Sequence, residues 1–278
     1  MSTIKHDLLP GSRKSTKLKE AMSQAGICGD VSGGGRMKDK EFVAEVVVEP
    51  NDFVTVRAGV EGPFEPLAAL ECSGELPGNT RFAIGKKGWQ FAAETRVNGV
   101  AHLPESFREI RTALRLGFAG RQSSDNCKGV KIDPADAVYR TIKESVWTED
   151  QIVKTEHGWE LQPRLAGETV PVAMRTGGND ALISCCVLSS LPADEVVVTT
   201  VAHQALLFNG RLRFVRLSVT DGRLVAETRL RVELINASWL EFAARAVASA
   251  VRGVTPAMTL IAHEQSVAAH YSDLILQT

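Results

Sequence analysis

No stretch of this 278-residue sequence approaches the roughly 20 apolar residues that a membrane-spanning helix needs, so no membrane span is expected. Neither sign of charge dominates. Lys and Arg number 32 against 33 Asp and Glu, for a net charge of −1, which leaves no electrostatic case for nucleic acid or an anionic membrane as partner. The five cysteines (Cys28, Cys72, Cys127, Cys185 and Cys186) are odd in number and include no CxxC pair; a reduced, cytoplasmic protein is the expectation. Lys5, Arg13 and Lys14 are followed by no apolar run of the secretory kind.

Motifs that carry common chemistries are missing too. Gly33-Gly34-Gly35 has neither the GxxxxGK[ST] nor the GxGxxG spacing and follows an expected helix, so it reads as a linker. His263, Glu264 and His270 lack the HExxH spacing and read as surface or interface residues. Ser184-Cys185-Cys186 lies in an apolar run without GxSxG. Neighbours in a strand point to opposite faces, so the two thiols read as buried structural cysteines and poor disulfide partners. No catalytic residue, metal ligand or cofactor site is assigned. With 44% hydrophobic and 23% charged residues, the composition is that of a globular protein.

What the sequence does contain is a repeated plan. Within residues 89–120 and 223–253 a constant offset of 133 holds: Ala93-Glu94-Thr95-Arg96 meets Ala226-Glu227-Thr228-Arg229, and Gly120 meets Gly253. Phe107, Ile110, Leu114 and Phe118 fall on Leu240, Ala243, Val247 and Val251. Spacings of three and four put each set on one helical face. A glycine is expected to close each helix. Turns precede both strands, Gly85-Lys86-Lys87-Gly88 and Thr220-Asp221-Gly222, and short apolar strands precede the turns. The repeated unit is strand, turn, strand, helix, and two copies point to a paired domain.

In chain order, residues 1–12 are expected to fray, 13–120 to form the first module, 121–132 a linker, 133–253 the second module and 254–278 a last helix beginning at Thr255-Pro256. Helices are expected over 14–25 and 134–146, and strands over 41–48, 53–60, 151–155, 159–163, 170–175 and 181–188. Residues 64–72 suit one or two helical turns after Pro66. Between Asp194 and Phe208, the Val196-to-Thr200 run favours strand, while length and the spacing of Val197, Val201, Ala205 and Phe208 favour helix, the reading adopted. Arg211, Arg213, Arg216, Arg223, Arg229 and Arg231 make the second hairpin basic; they read as a solvated outer face, with an acidic partner surface as the alternative.

The second copy runs helix, strands, helix, hairpin, helix. Its middle helix ends at Leu206-Leu207-Phe208-Asn209, its hairpin is RFVRLSVTDGRLVAETRL, and its closing helix is NASWLEFAARAVASAV. That order resembles the class I type III secretion chaperones and their YbjN-type relatives, well over 134–253 and less well over 14–120, where no Asn stands at the position of Asn209. The resemblance implies a non-enzymatic protein that holds extended segments of partner polypeptides along apolar grooves. It also implies that a tandem copy forms a pseudo-dimer within one chain.

The expectation is therefore an α+β protein of two related modules, each an antiparallel sheet with helices packed on it. Phe107, Leu114, Phe118, Trp239, Leu240 and Val247 are the candidates for module pairing or partner binding. The first function reading is a protein-binding module with a polypeptide partner, using strand edges and apolar grooves. The second is a small-molecule binder or enzyme with a pocket between the modules. The third is a regulatory or structural assembly protein, and further homodimerisation stays open.

Overall fold

The computed structural model describes residues 36–38, 42–48, 53–60, 65–76, 78–84, 91–98, 103–119, 141–142, 151–177, 180–232, 235–264 and 266–270. The expected helix at 14–25, the linker, the 85–88 turn and all but Thr141 and Ile142 of the 134–146 helix lie outside them. The fold is α+β, with antiparallel sheets and packed helices. It divides into two compact units: unit 1 is Met1–Pro63 with Thr80–Gly120, and unit 2 is Phe64–Asn79 with Arg121–Thr278. The expected first module is thus interrupted. Residues 64–79, which carry helix α1 (Pro66–Glu75), belong with unit 2 although the chain on either side belongs to unit 1.

Unit 1 is a five-stranded antiparallel sheet of β1 (Arg36–Lys38), β2 (Val43–Val48), β3 (Phe53–Gly59), β4 (Arg81–Ile84) and β5 (Phe91–Asn98), in the order β1-β2-β3-β5-β4. β1 falls within the glycine-rich stretch 29–40, which reads in sequence as a loop; three residues are too few for a period to register. Alternation buries Ala44 and Val46 on β2 and Val54, Val56 and Ala58 on β3. Helix α2 (Leu103–Ala119) packs on β3 and β5 and buries Phe107, Ile110 and Leu114. Glu109 is buried on the same helix, and its Oε2 accepts hydrogen bonds from the hydroxyls of Thr80 (2.9 Å) and Thr95 (3.0 Å). Those donors let a carboxylate sit in a closed interior.

Unit 2 holds a six-stranded antiparallel sheet in the order β12-β13-β11-β10-β7-β6, from β6 (Ile152–Thr155), β7 (Gly158–Leu161), β10 (Val172–Gly177), β11 (Asp180–Leu188), β12 (Arg216–Thr220) and β13 (Arg223–Arg231). Between β7 and β10 lies a small hairpin, β8 (Arg164–Leu165) with β9 (Glu168–Thr169), too short for its periodicity to show in sequence. One face of the main sheet carries Leu161, Val172, Met174, Ile183, Leu217 and Ala226, all fully buried.

Two helices account for that burial. α3 (Glu195–Asn209) starts at Asp194, whose side chain accepts the Val197 N–H at 3.0 Å, the usual N-cap geometry. The β-prone Val196-to-Thr200 run is helical because Val197, Val201 and Ala205 fall on one buried face, so packing overrides propensity. α4 (Ala237–His263) crosses β11, β13 and β10. It corrects the expectation that a helix stops at Gly253 and another begins at Thr255-Pro256. An interior proline costs about 3 kcal/mol. Burying Val254, Met258 and Ile261 is worth roughly 1.5–3 kcal/mol each, so the helix continues through Pro256. Arg252 donates to the Leu165 carbonyl at 2.9 Å and tethers the small hairpin to α4.

The two main sheets share an order. Strands β1, β2, β3, β5 and β4 in unit 1 lie in the same sequence of neighbours as β7, β10, β11, β13 and β12 in unit 2. In both, one helix follows the last hairpin strand.

Candidate binding site

The β12–β13 hairpin builds the site. Asp221 (φ 51°) and Gly222 (φ 69°) form its two-residue turn, the left-handed pair that matches the twist of flanking strands. Counting outward from that turn, Thr220 faces Arg223, Ser218 faces Val225 and Arg216 faces Glu227. Alternation sends this set to the sheet face away from the α3–α4 core. Leu182, Ser184 and Cys186 of β11, Ala173 and Arg175 of β10 and Glu160 of β7 share that face by register.

Arg216 is only 2% exposed. Its Nε donates to Glu227 Oε1 at 2.7 Å, and its Nη2 lies 2.7 Å from the same oxygen. The rest of the guanidinium turns to helix α1. Nη1 donates to the carbonyls of Leu76 (2.9 Å) and Gly78 (3.4 Å), and Nη2 to that of Gly74 (3.3 Å). Arg229 Nη2 donates to the Gly74 carbonyl as well. Asn79 completes the seat: its Oδ1 accepts from Thr228 Oγ1 at 2.9 Å and from the Arg229 N–H at 3.4 Å. The last turn of α1 has no basic residue of its own. Two arginines from the sheet therefore supply the positive charge that the carbonyl end of a helix favours. We call this arrangement the carbonyl socket.

Proline sets both ends of α1. Glu65 (φ −110°, ψ 114°) precedes Pro66, and Leu76 (φ −69°, ψ 144°) precedes Pro77; both are extended. A residue before proline is driven out of the helical region by the ring, so the ten-residue helix cannot lengthen at either end. Leu70, Ser73 and Leu76 are its buried residues, and it packs on β12 and α3.

Alongside the socket lies an open cleft of about 830 Å³. Its floor combines apolar Ala173, Leu182 and Val225 with polar Glu160, Arg175 and Ser184, and α1 contributes Glu71, Gly74 and Glu75 as a wall. The basic face expected on this hairpin is corrected here: Arg211, Arg213, Arg223 and Arg231 are exposed, but Arg216 is buried and Arg229 half-buried, both drawn in by carbonyls.

The expectation of two buried thiols is also corrected. Cys186 is exposed on the cleft floor and Cys185 is half-buried. Burial, with the neighbouring Cys186 adding to it, pushes the Cys185 thiol above its ordinary value, so it stays protonated near neutrality. His203, half-buried on α3, is held below its ordinary value by the same desolvation, and its Nδ1 is buried without a hydrogen-bond partner. No group of three or more His, Cys, Asp or Glu among the described residues is placed to hold a metal ion. His263 and His270 are both exposed.

The residues singled out by sequence are distributed as follows. In unit 1, Phe107 is buried and stacks on Phe42 with centroids 5.7 Å apart, Leu114 is buried, and the Phe118 side chain lies outside the described residues. In unit 2, Leu240 and Val247 are fully buried on α4, and Trp239 is half-buried. Trp239 meets Phe242 and Phe214 edge-on at 5.7 and 6.3 Å, with Phe242 43% exposed. None of the six lines the cleft. Sequence reasoning read Arg216 and Arg229 as part of a solvated basic face and missed Asn79, yet a signal existed: once the Asp-Gly turn is fixed, counting five pairs outward sets Arg216 opposite Glu227. The same residue types recur in unit 1, where Arg81, also buried, stands opposite Glu94.

Among the described residues no helix is long and apolar enough to cross a membrane. Comparison with models of known protein families and with curated proteins finds no match to this chain.

Proposed function

We propose that this chain is a non-enzymatic, secretion-chaperone-like protein-binding module, and that it holds an extended segment of a partner polypeptide on the open sheet face of unit 2. One observation carries the reading. The cleft is open, and its floor sets apolar Ala173, Leu182 and Val225 beside hydrogen-bonding Glu160, Arg175 and Ser184 on neighbouring strands, a surface on which an extended chain lays every second side chain. Two of its ionisable groups are already committed: Glu227 is paired with Arg216, and burial holds the Cys185 thiol protonated. The same reading takes the two units as copies of one module. Their shared strand order and the Arg-opposite-Glu pair in each hairpin support it.

Cys186 on the cleft floor provides the test. The tagged chain is recovered from native cell extract beside a Val225→Glu variant, and Cys186 is alkylated before and after elution at high salt. A stoichiometric polypeptide, lost from the variant, with Cys186 slow to react until elution, is the expected outcome. A bound metabolite with no polypeptide would replace this reading with that of a small-molecule site. Equal capture by the variant would move the contact elsewhere.

A further inference from the structure

We propose that Arg175 and Arg229 form a carboxylate-binding subsite in the unit 2 cleft. Given the polypeptide function proposed above, on which this step rests, the pair selects an acidic side chain in the held segment.

Register brings the two arginines together. Leu182 on β11 faces Arg175 on β10 and Arg229 on β13, and all three line the cleft. Two strand spacings put the arginine Cα atoms about 10 Å apart, within the combined reach of two arginine side chains above Leu182. Arg229 is fixed in place. Its Nη2 donates to the Gly74 carbonyl and its backbone N–H to Asn79 Oδ1. Both partners are neutral, and its Nε is buried with no hydrogen-bond partner. A half-buried cation thus stands without a counter-ion among the described residues. Arg175 is exposed and makes no hydrogen bond or ion pair among those residues. Two like charges flanking an apolar side chain repel, and an anion between them relieves that repulsion.

The carboxylates of the cleft do not fill this role. Glu227 is paired with Arg216. Glu160 lies one row away, opposite Ala173, and accepts from Gln162 Nε2 at 3.2 Å. Glu71, Glu75 and Asp221 pair with neither arginine. Two guanidinium charges against the nearby Glu160 carboxylate leave a single positive charge, which suits a carboxylate better than a doubly charged phosphate. The planar guanidinium fork matches carboxylate oxygens in geometry as well.

The test titrates the blocked peptide acetyl-Ala-Val-Glu-Val-Ala-amide into the isotope-labelled full chain, beside its Gln and phosphoserine counterparts. Binding is read from the backbone NMR shifts of Leu182 and Ser184. The expected result is that the Glu peptide binds about tenfold more tightly than the Gln peptide, and that salt erodes the difference. Arg175→Gln should abolish the preference while leaving the urea midpoint unchanged, because Arg175 holds no other residue; Glu160→Gln should strengthen it. Equal binding of the Glu and Gln peptides, tighter binding of the phosphoserine peptide, or no shift at Leu182 with any of the three overturns the proposal. Capture from native extract separates the two readings. A polypeptide held equally by wild type and Arg175→Gln, with no Glu preference, sinks the subsite and leaves the polypeptide function standing. A Glu preference at Leu182 with no captured polypeptide keeps the subsite and sinks that function.

Discussion

Arg216 and Glu227 form a buried pair, with side chains 2% and 4% exposed. Removing one partner of such a pair strands a charge in a low-dielectric site, at a cost of roughly 3–5 kcal/mol. Arg216→Ala is therefore expected to lower the urea midpoint sharply, and Arg216→Met with Glu227→Met to recover much of the loss. A double variant no more stable than Arg216→Ala would place the energy in the carbonyl contacts instead. Asn209 shows a different use of a buried polar group. Its Nδ2 donates to the Leu217 carbonyl at 3.0 Å and its Oδ1 accepts the Leu217 N–H at 2.6 Å, so the side chain imitates a strand partner at the edge of β12. Asn209→Ala leaves both backbone groups unmatched and should cost about 2–4 kcal/mol. His203 gives a pH dependence. Its folded pKa lies below the ordinary 6.5, so between 6.5 and that lower value the unfolded chain binds a proton that the folded chain refuses. Stability should fall as pH drops through this window and level off below it. His203→Gln should flatten that slope in denaturant titrations from pH 7 to pH 5.

At the scale of elements, local signals were legible where they agreed with packing. The Asp221-Gly222 turn and the three-and-four spacing on α2 and α4 could be read because local signal and burial coincide. The end of α4 was misread because Gly253 and Pro256 are local stop signals and were given more weight than the three-and-four spacing that carries the buried face on through Val251, Val254, Met258 and Ile261. Pro256→Ala removes the ring and restores an N–H inside an established helix. It should stabilise the protein by about 1–3 kcal/mol, visible as a raised Tm. A lowered Tm would mean that the proline shapes α4 in a way the sheet requires. The pairing of Arg216 with Glu227 could be counted from the turn, but its burial beneath α1 could not. Alternation assigns a residue to a face but does not say which face another segment will cover, and an arginine on a hairpin is ordinarily solvated.

For the whole molecule, the order of the chain is not the order of the units. Stability inside each unit should be cooperative, so amide exchange in α1 is expected to follow β12 and β13 rather than β3 and β4, its sequence neighbours. Hydrogen exchange followed by mass spectrometry on wild type and Arg216→Ala checks this: in the variant, protection over 66–76 should fall while that over 43–48 holds. A loss shared equally by 43–48 would dissolve the division into units.

The socket also shapes how this sequence can drift. Arg216 meets peptide carbonyls, which every residue supplies alike, so the spelling of the last turn of α1 is loosely constrained wherever burial is not at stake. Saturation substitution at exposed Glu75 should leave folding nearly untouched. At Arg216 even lysine should fail, because an ammonium lacks the planar fork that spans Glu227 and several carbonyls together. Neutral change would then collect on the exposed positions of α1 and purifying selection on the hairpin beneath it.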